Sequence, residues 1–429
     1  MNSLVVPISH SDATKAHRFG PKAANLATLG VAGLPIPDSY CVGADAYRFQ
    51  LKALGLEATA RQVFSTEDGA KARRHALDMK LGLMDRPIAP EILALLLAAR
   101  RDLIERSSGA LMVIRSSALV EDRFGSSFAG QFESFIGIES EEDFVSAVRS
   151  CWAALWATRA LRYMATHDAD PADTAMALLL QPLISARASG GGLSQTADGG
   201  MLLSATWGLG SAIAQGEVTP DRYEISRQGT LRHIAAGRKD HRISCMHRAE
   251  PTAQAVPAAL MEQPCLDGPE VEALAHLLRR TEEIMGMPVE IEWALDDSGF
   301  KLLQGRPLHM QEAEVPDEIW MHHPRLNGHP AGVGWGSGRA RVVNCECELE
   351  RVGPGDVLVT KSAGPALAHI LTRVSGVVSE RGGSTSHLAS LARERGIPMV
   401  LGVHEATTKI PDGAMIAVDG VAGVVRWMH

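Results

Sequence analysis

Glu380-Arg381-Gly382-Gly383-Ser384-Thr385-Ser386-His387 stands between two segments of different character. Before it runs Val374-Ser375-Gly376-Val377-Val378, an apolar stretch of strand type. After it runs Leu388-Ala389-Ser390-Leu391-Ala392-Arg393-Glu394-Arg395, with apolar residues at helical spacing, stopped by Gly396. Pro398 then opens a second apolar run, Met399-Val400-Leu401. A histidine therefore falls in a glycine-rich turn where a helix begins. Paired glycines allow a tight turn and the close approach of a bulky group. Free N–H groups at a helix start favour an anion, and neutral imidazole is a competent nucleophile near pH 7. The combination suits a histidine that carries a phosphoryl group; seen alone, a helix cap or core histidine is the plainer reading.

Working outward, the hairpin Pro288-Val289-Glu290-Ile291-Glu292-Trp293-Ala294-Leu295, Asp296-Asp297-Ser298-Gly299, Phe300-Lys301-Leu302-Leu303-Gln304-Gly305-Arg306-Pro307 carries the second signal. Alternation and the turn residues predict two antiparallel strands. Period two puts Glu290 and Glu292 on one face, with Gln304 expected across from Glu292. Oxygen ligands on neighbouring strands suit Mg2+, with Mn2+ as an alternative, and Arg306 can neutralise a phosphoryl group in transfer. A solvated strand face is the competing reading.

Two further patches lie upstream. Phe19-Gly20-Pro21-Lys22-Ala23-Ala24-Asn25-Leu26 predicts a helix opened by Gly-Pro, with Lys22 in its first turn. Leu111-Met112-Val113-Ile114-Arg115-Ser116-Ser117-Ala118 predicts a strand that delivers Arg115, a planar fork for phosphate oxygens. Glu121-Asp122 and the loop Gly125-Ser126-Ser127-Phe128-Ala129-Gly130-Gln131 follow, and such a loop can offer backbone N–H groups to phosphates. Ala175-Met176-Ala177-Leu178-Leu179-Leu180-Gln181 reads as a buried strand. Residues 51–108 read as amphipathic helices. For Asp221, after Thr219-Pro220, a turn cap and a functional role stand equal.

These stretches resemble the phosphoenolpyruvate synthase and pyruvate phosphate dikinase family. The resemblance runs through the Gly-Gly-Ser-Thr-Ser-His turn, the Ile-Glu-Trp-Ala…Leu-Gln-x-Arg-Pro hairpin and the Arg-Ser-Ser-Ala…Glu-Asp…Ser-Phe-Ala-Gly-Gln segment. Two departures stand out: Ser189-Gly190-Gly191-Gly192-Leu193-Ser194 replaces Ser-Gly-Val-x-Phe-Thr, and Ser211 replaces a glutamate. The resemblance implies an α/β (α+β) fold: an ATP-grasp nucleotide-binding domain followed by a small β/α swivelling phosphohistidine domain. The expected boundaries are 1–190 and 191–310 for the ATP-grasp subdomains, 311–330 for a linker or hinge, and 331–429 for the histidine domain. It further implies ATP held by Lys22, Arg115, Gln181 and Gly130, a metal on Glu292 and Gln304, and catalysis by His387 and Arg306.

The implied reaction phosphorylates His387 from ATP, releases AMP and phosphate, and passes the group to a small-molecule acceptor. The chain stops at His429, where full-length synthases and dikinases continue into a pyruvate-binding barrel. Rifampin phosphotransferases place an acceptor domain where this chain has only the linker. The alternatives are a donor-and-carrier subunit with a separate acceptor-binding subunit, as in phenylphosphate synthases, and a degenerate nucleotide-binding protein. In some dikinases the residue matching Thr385 is a regulatory phosphorylation site; a plain helix-cap role is the simpler expectation here.

Composition agrees with these readings. The chain has 429 residues, enough for two or three domains, and 45% apolar and 21% charged residues. A net charge of −8 argues against a nucleic-acid surface but not against nucleotide binding. No run has membrane length, and Met-Asn-Ser-Leu-Val-Val-Pro is no secretory leader, so a cytoplasmic protein is expected. The six cysteines, Cys345-Glu346-Cys347 among them, are expected as free thiols. His322-His323 is read as part of the exposed linker rather than a metal site.

Overall fold

The computed structural model describes residues 4–66, 68–121, 132, 134–165, 172, 174–196, 199–247, 250–309, 320 and 323–428. The chain forms two compact units. The first joins Met1–Ser185 with Cys245–Thr252 and Lys301–Arg306; the second joins Ala186–Ser244, Ala253–Phe300 and Pro307–His429.

In the first unit an antiparallel sheet runs in the spatial order Val5–Pro7, Tyr40–Val42, Met176–Pro182, Met112–Ala118, Ser134–Ile138. Met176–Pro182 is buried at every residue, as its unbroken apolar run requires. Helix Ala16–Val31 lays Phe19, Ala23, Leu26 and Ala27 into a core shared with Cys41 and Leu179. The helix is broken once, at Gly20, whose φ of 74° is open to glycine at little cost. A side chain at Gly20 would run into the backbone of Ser117, so glycine also admits the close helix–strand approach. Helices Ala44–Ala53, Glu57–Ser65, Gly69–Asp85 and Pro90–Arg106 fill the stretch read as amphipathic helices, the last opened by a proline in its first turn.

The second unit contains an antiparallel run of strands in the order Val289–Asp296, Ala188–Leu193, Met201–Trp207, Asp221–Ile225, Leu231–Ala235. Helix Gly268–Met285 has an Asp267/Glu270 capping box and ends on a left-handed Gly286. A turn after Asp296 leads into the strand Gly299–Pro307, the second arm of the hairpin read from the sequence.

Downstream lies an eight-stranded sheet in the order Arg325–Asn327, Val424–Trp427, Met415–Asp419, Trp335–Val343, Val357–Thr360, Gly376–Ser379, Met399–Leu401, His329–Pro330. The four consecutive strands from Trp335–Val343 to Met399–Leu401 are parallel. Their valines, with Ile416, Val418, Val425 and Trp427, form the core. Helix His387–Glu394 connects two of these parallel strands, Gly376–Ser379 and Met399–Leu401.

The cysteine reading needs one correction. Cys345 and Cys347 are joined in a disulfide with a Cα–Cα separation of 5.4 Å, where free thiols were expected. Cys345 is extended and the chain enters a 3-10 turn at Glu346, which folds the two residues together. Cys41, Cys151 and Cys265 are buried and outside any disulfide. No helix among the described residues is long and apolar enough to cross a membrane.

Candidate active site

The residues singled out in the first unit converge. Arg115 leaves its strand through a half-buried position and donates from Nη1 to the Leu303 carbonyl and from Nη2 to Gln304 Oε1, each at 2.8 Å. Lys22 Nζ donates to the Ser116 carbonyl at 2.8 Å and lies 3.4 Å from Glu121 Oε1. Ser117 Oγ accepts the Ala23 N–H, and Asn25 Nδ2 donates to the Gly305 carbonyl at 3.2 Å. Segment Lys301–Arg306 is thereby tied to both the helix carrying Lys22 and the strand carrying Arg115. Gln304 and Arg306 are both buried to 7% exposure, on alternate residues of their strand. The result is a concentration of cationic groups and amide donors, the chemistry that holds phosphates.

Asn25 and Glu121 join this cluster without having been assigned roles from the sequence. Asn25 lies one helical turn beyond Lys22, which was the available signal. Glu121, 4% exposed, places a carboxylate beside Lys22. Gln181 is elsewhere on the sheet: its side chain donates to Ser39 Oγ at 3.0 Å inside the core. Gly130 lies outside the described residues, as do all but Phe132 of residues 122–133.

In the second unit the histidine turn is built as its sequence suggests, with one change. Ser386, not Thr385, is the N-cap: its Oγ accepts the Ala389 N–H at 3.2 Å, and His387 is the first helical residue. Thr385 sits one residue too early to cap, and its buried hydroxyl has no hydrogen-bond partner among the described residues. Ser384 Oγ donates to the Pro330 carbonyl at 2.6 Å, and the Gly382 N–H donates to the Val218 carbonyl at 3.2 Å. Arg381 reaches the Glu217 carbonyl at 3.2 Å and Asp240 at 3.3 Å.

The surface under this turn is the strand with three consecutive glycines. A Cβ on Gly191 would lie 2.6 Å from Thr385 Cβ, closer than real side chains approach, so only glycine admits the turn at this height. Gly191 is the register partner of Glu292. The departure from the family pattern at Ser189–Ser194 thus falls where the histidine turn rests. Glu290, on the same face of its strand as Glu292, accepts from Ser390 Oγ at 2.9 Å and lies 3.3 Å from Arg393 Nη2. Glu290 and Arg393 are 5% and 3% exposed, so this pair joins the histidine helix to the strand in a buried setting. Glu292 is partly exposed.

Asp221 is neither a turn cap nor a free acid. It is fully buried, bonded to the buried Lys239 ammonium, and accepts the Gly237 and Cys265 N–H groups at 2.8 and 2.7 Å. The residue before it, Pro220, packs against Gly383 of the histidine turn.

Among the described residues no three His, Cys, Asp or Glu side chains cluster to cage a metal. Glu292 and Gln304 are hard oxygen donors, the type Mg2+ takes when phosphates complete its shell. Gln304 Oε1 already accepts from Arg115, and an amide oxygen has a second lone pair to offer.

Comparison with known proteins agrees with both parts of the chain. Residues 16–324 match the pyruvate phosphate dikinase AMP/ATP-binding domain, and residues 352–423 match the mobile domain of PEP-utilising enzymes. The chain belongs to the phosphoenolpyruvate synthase and pyruvate phosphate dikinase family. It is 30% identical over 416 residues to a probable phosphoenolpyruvate synthase of Methanothermobacter thermautotrophicus, covering 95% of this chain and 61% of that one. Against the phosphoenolpyruvate synthase of Escherichia coli it is 27% identical over 436 residues, covering 96% and 55%. The Pyrococcus furiosus enzyme of the same name is 28% identical over 465 residues, with 95% and 56% covered. The chain thus spans 55–61% of the length of these three relatives.

Proposed function

We propose that this chain takes a phosphoryl group from ATP onto His387 and passes it to a small-molecule acceptor. The observation that carries the reading is the seat of the histidine turn: Thr385 rests on Gly191, whose register partner is Glu292. That contact brings a helix-start histidine to the strand that bears the acidic pair. In the proposed first step the His387 imidazole attacks the β-phosphorus in line. A P–N bond forms, the bond to the α-phosphate oxygen breaks, and AMP leaves; water takes the γ-phosphoryl group as inorganic phosphate. Lys22 and Arg115 bind the phosphates, and Arg306 neutralises charge on the group in transfer. Glu292 and Gln304 would hold Mg2+, which would supply charge neutralisation for the phosphates. Segment 331–429 then carries the phosphoryl group away, with 311–330 as the connector.

The test is incubation of the full chain with Mg2+ and ATP labelled separately at the β and γ positions. The expected result is β-label on His387 with AMP formed, none in His387→Ala, and ATP affinity in that variant within about twofold of the parent. Arg115→Ala should lower labelling by about 100-fold or more, since it removes a bidentate phosphate ligand worth a few kcal/mol. Label from the γ position with ADP formed would overturn the dikinase chemistry. Label that leaves His387 only when a second protein is added would favour the donor-and-carrier subunit.

A further inference from the structure

Inside the second unit a cavity of about 280 Å³ lies between the strands of residues 188–235 and the histidine domain. Its size falls at the lower edge of ligand pockets, roughly 300–1,000 Å³, nearer to a small organic acid than to a second nucleotide. One wall carries Arg222, Glu224, Arg232 and Met201; the other carries Arg393 and Val421. Three arginines and one glutamate line the cavity, and the rest of the lining is largely apolar; two of the arginines are matched, Arg222 by Glu224 and Arg393 by Glu290, 3.3 Å away. Glu224 is 3.0 Å from Arg222, so the single carboxylate is already matched. Arg232 is exposed and has no ion-pair partner among the described residues. Arg393 is buried, and its Nη1 donates to the Ala331 and Ser384 carbonyls, which holds its charge in place at the wall.

We propose that this cavity binds a small organic anion, carrying a carboxylate or phosphate group, and that binding clamps the histidine domain onto the strands. The two walls belong to the two parts joined by the Glu290–Arg393 and Gly191–Thr385 contacts. A ligand bridging them exists as a complex only while those contacts are made. At 100 times its dissociation constant it multiplies the ratio of docked to undocked molecules by about 100. Resting on the carrier reading above, the consequence is that the anion holds His387 at the loading position and slows delivery. The site would let a metabolite restrain the relay without entering the nucleotide site.

The experiment uses the full chain with the nucleotide site filled by a non-hydrolysable ATP analogue. Inorganic phosphate and succinate are the probes, titrated by calorimetry. Docking is read by energy transfer between dyes on Gln228→Cys and Thr408→Cys, both exposed positions. The expected result is one site for at least one probe, weakened tenfold or more by Arg232→Glu and less by Arg232→Gln, with a rise in the docked population. Phosphate alone binding identifies a phosphate-bearing ligand, and succinate alone a carboxylate. The same binding and clamping are expected in His387→Ala, which cannot be phosphorylated at that position. If the probes bind but His387 never takes label from ATP, the site stands and the carrier reading falls. No binding of either probe, binding indifferent to Arg232→Glu, or binding without a change in docking overturns the proposal.

Discussion

The two units hold their functional groups in contrasting ways. In the first, Lys22, Arg115, Asn25 and Gln304 are fixed by direct hydrogen bonds among helix, strand and the returning segment Lys301–Arg306. In the second, the histidine turn rests on glycine and proline, with a few polar ties, among them the buried Glu290 to Ser390 and Arg393 and the exposed Arg381 to Asp240. The first arrangement is a rigid cluster of cationic and amide groups, the kind of preorganisation the proposed nucleotide site calls for. The second is a fitted surface whose affinity comes from shape and a small number of bonds. A contact of that kind can be made and released without unfolding either side, as the proposed relay requires.

The sharpest way to break the contrast is at Gly191. Gly191→Ala should lower His387 labelling by about tenfold or more, because the added methyl meets Thr385. ATP affinity should be unchanged, since the groups of the first unit proposed to bind the phosphates are untouched. Pairing it with Thr385→Gly, which removes the opposing side chain, should restore much of the labelling. A Gly191→Ala protein that labels at the parental rate would refute the glycine seat.

Asp221 tests what lies behind the seat. Asp221→Ala leaves the fully buried Lys239 ammonium without its partner and should cost about 3–5 kcal/mol in denaturant unfolding. Asp221→Leu combined with Lys239→Met, which removes both charges, should be milder. Equal losses in the two variants would mean that shape rather than charge governs the site.

The smallest expected effect is in pH. His329 is held down to about 4 by burial and by the Arg222 charge. Its neutral form is therefore favoured in the folded chain, while the unfolded chain protonates near 6.5. Below 6.5 the unfolded state binds the extra proton, so stability falls as pH drops from 6.5 towards 4, by up to about 3 kcal/mol. His329→Asn should flatten that slope in thermal unfolding followed across this range; an unchanged slope would assign it to other groups.

Much of the site was legible from residue type and spacing. The hairpin at Val289–Pro307 followed from alternation and turn chemistry, and the helix at His387 followed from a Ser-His start and Gly396 stop. The cap itself slipped by one residue, because Thr385 and Ser386 are chemically equivalent caps and only backbone geometry separates them. Asn25, Glu121 and Lys239 were passed over because each has an ordinary local context. Their roles come from partners 18 to 280 residues away in sequence: Asn25 with Gly305, Lys22 with Glu121, and Asp221 with Lys239. The Cys345–Cys347 disulfide was missed because spacing alone carries no information about the backbone turn at Glu346.

By itself, the sequence determined the local elements and the chemical inventory. Hydrophobic period, glycine and proline placement, and side-chain type are local properties, and they suffice to mark strands, helix starts and candidate phosphate ligands. Only the tertiary structure decided which polar groups meet. Burial leaves Glu290 facing Arg393, Asp221 facing Lys239 and Gly191 facing Thr385, and each meeting depends on packing between segments far apart in the chain. A buried charge or a missing methyl has meaning only against its neighbour, and the neighbour is chosen by the fold.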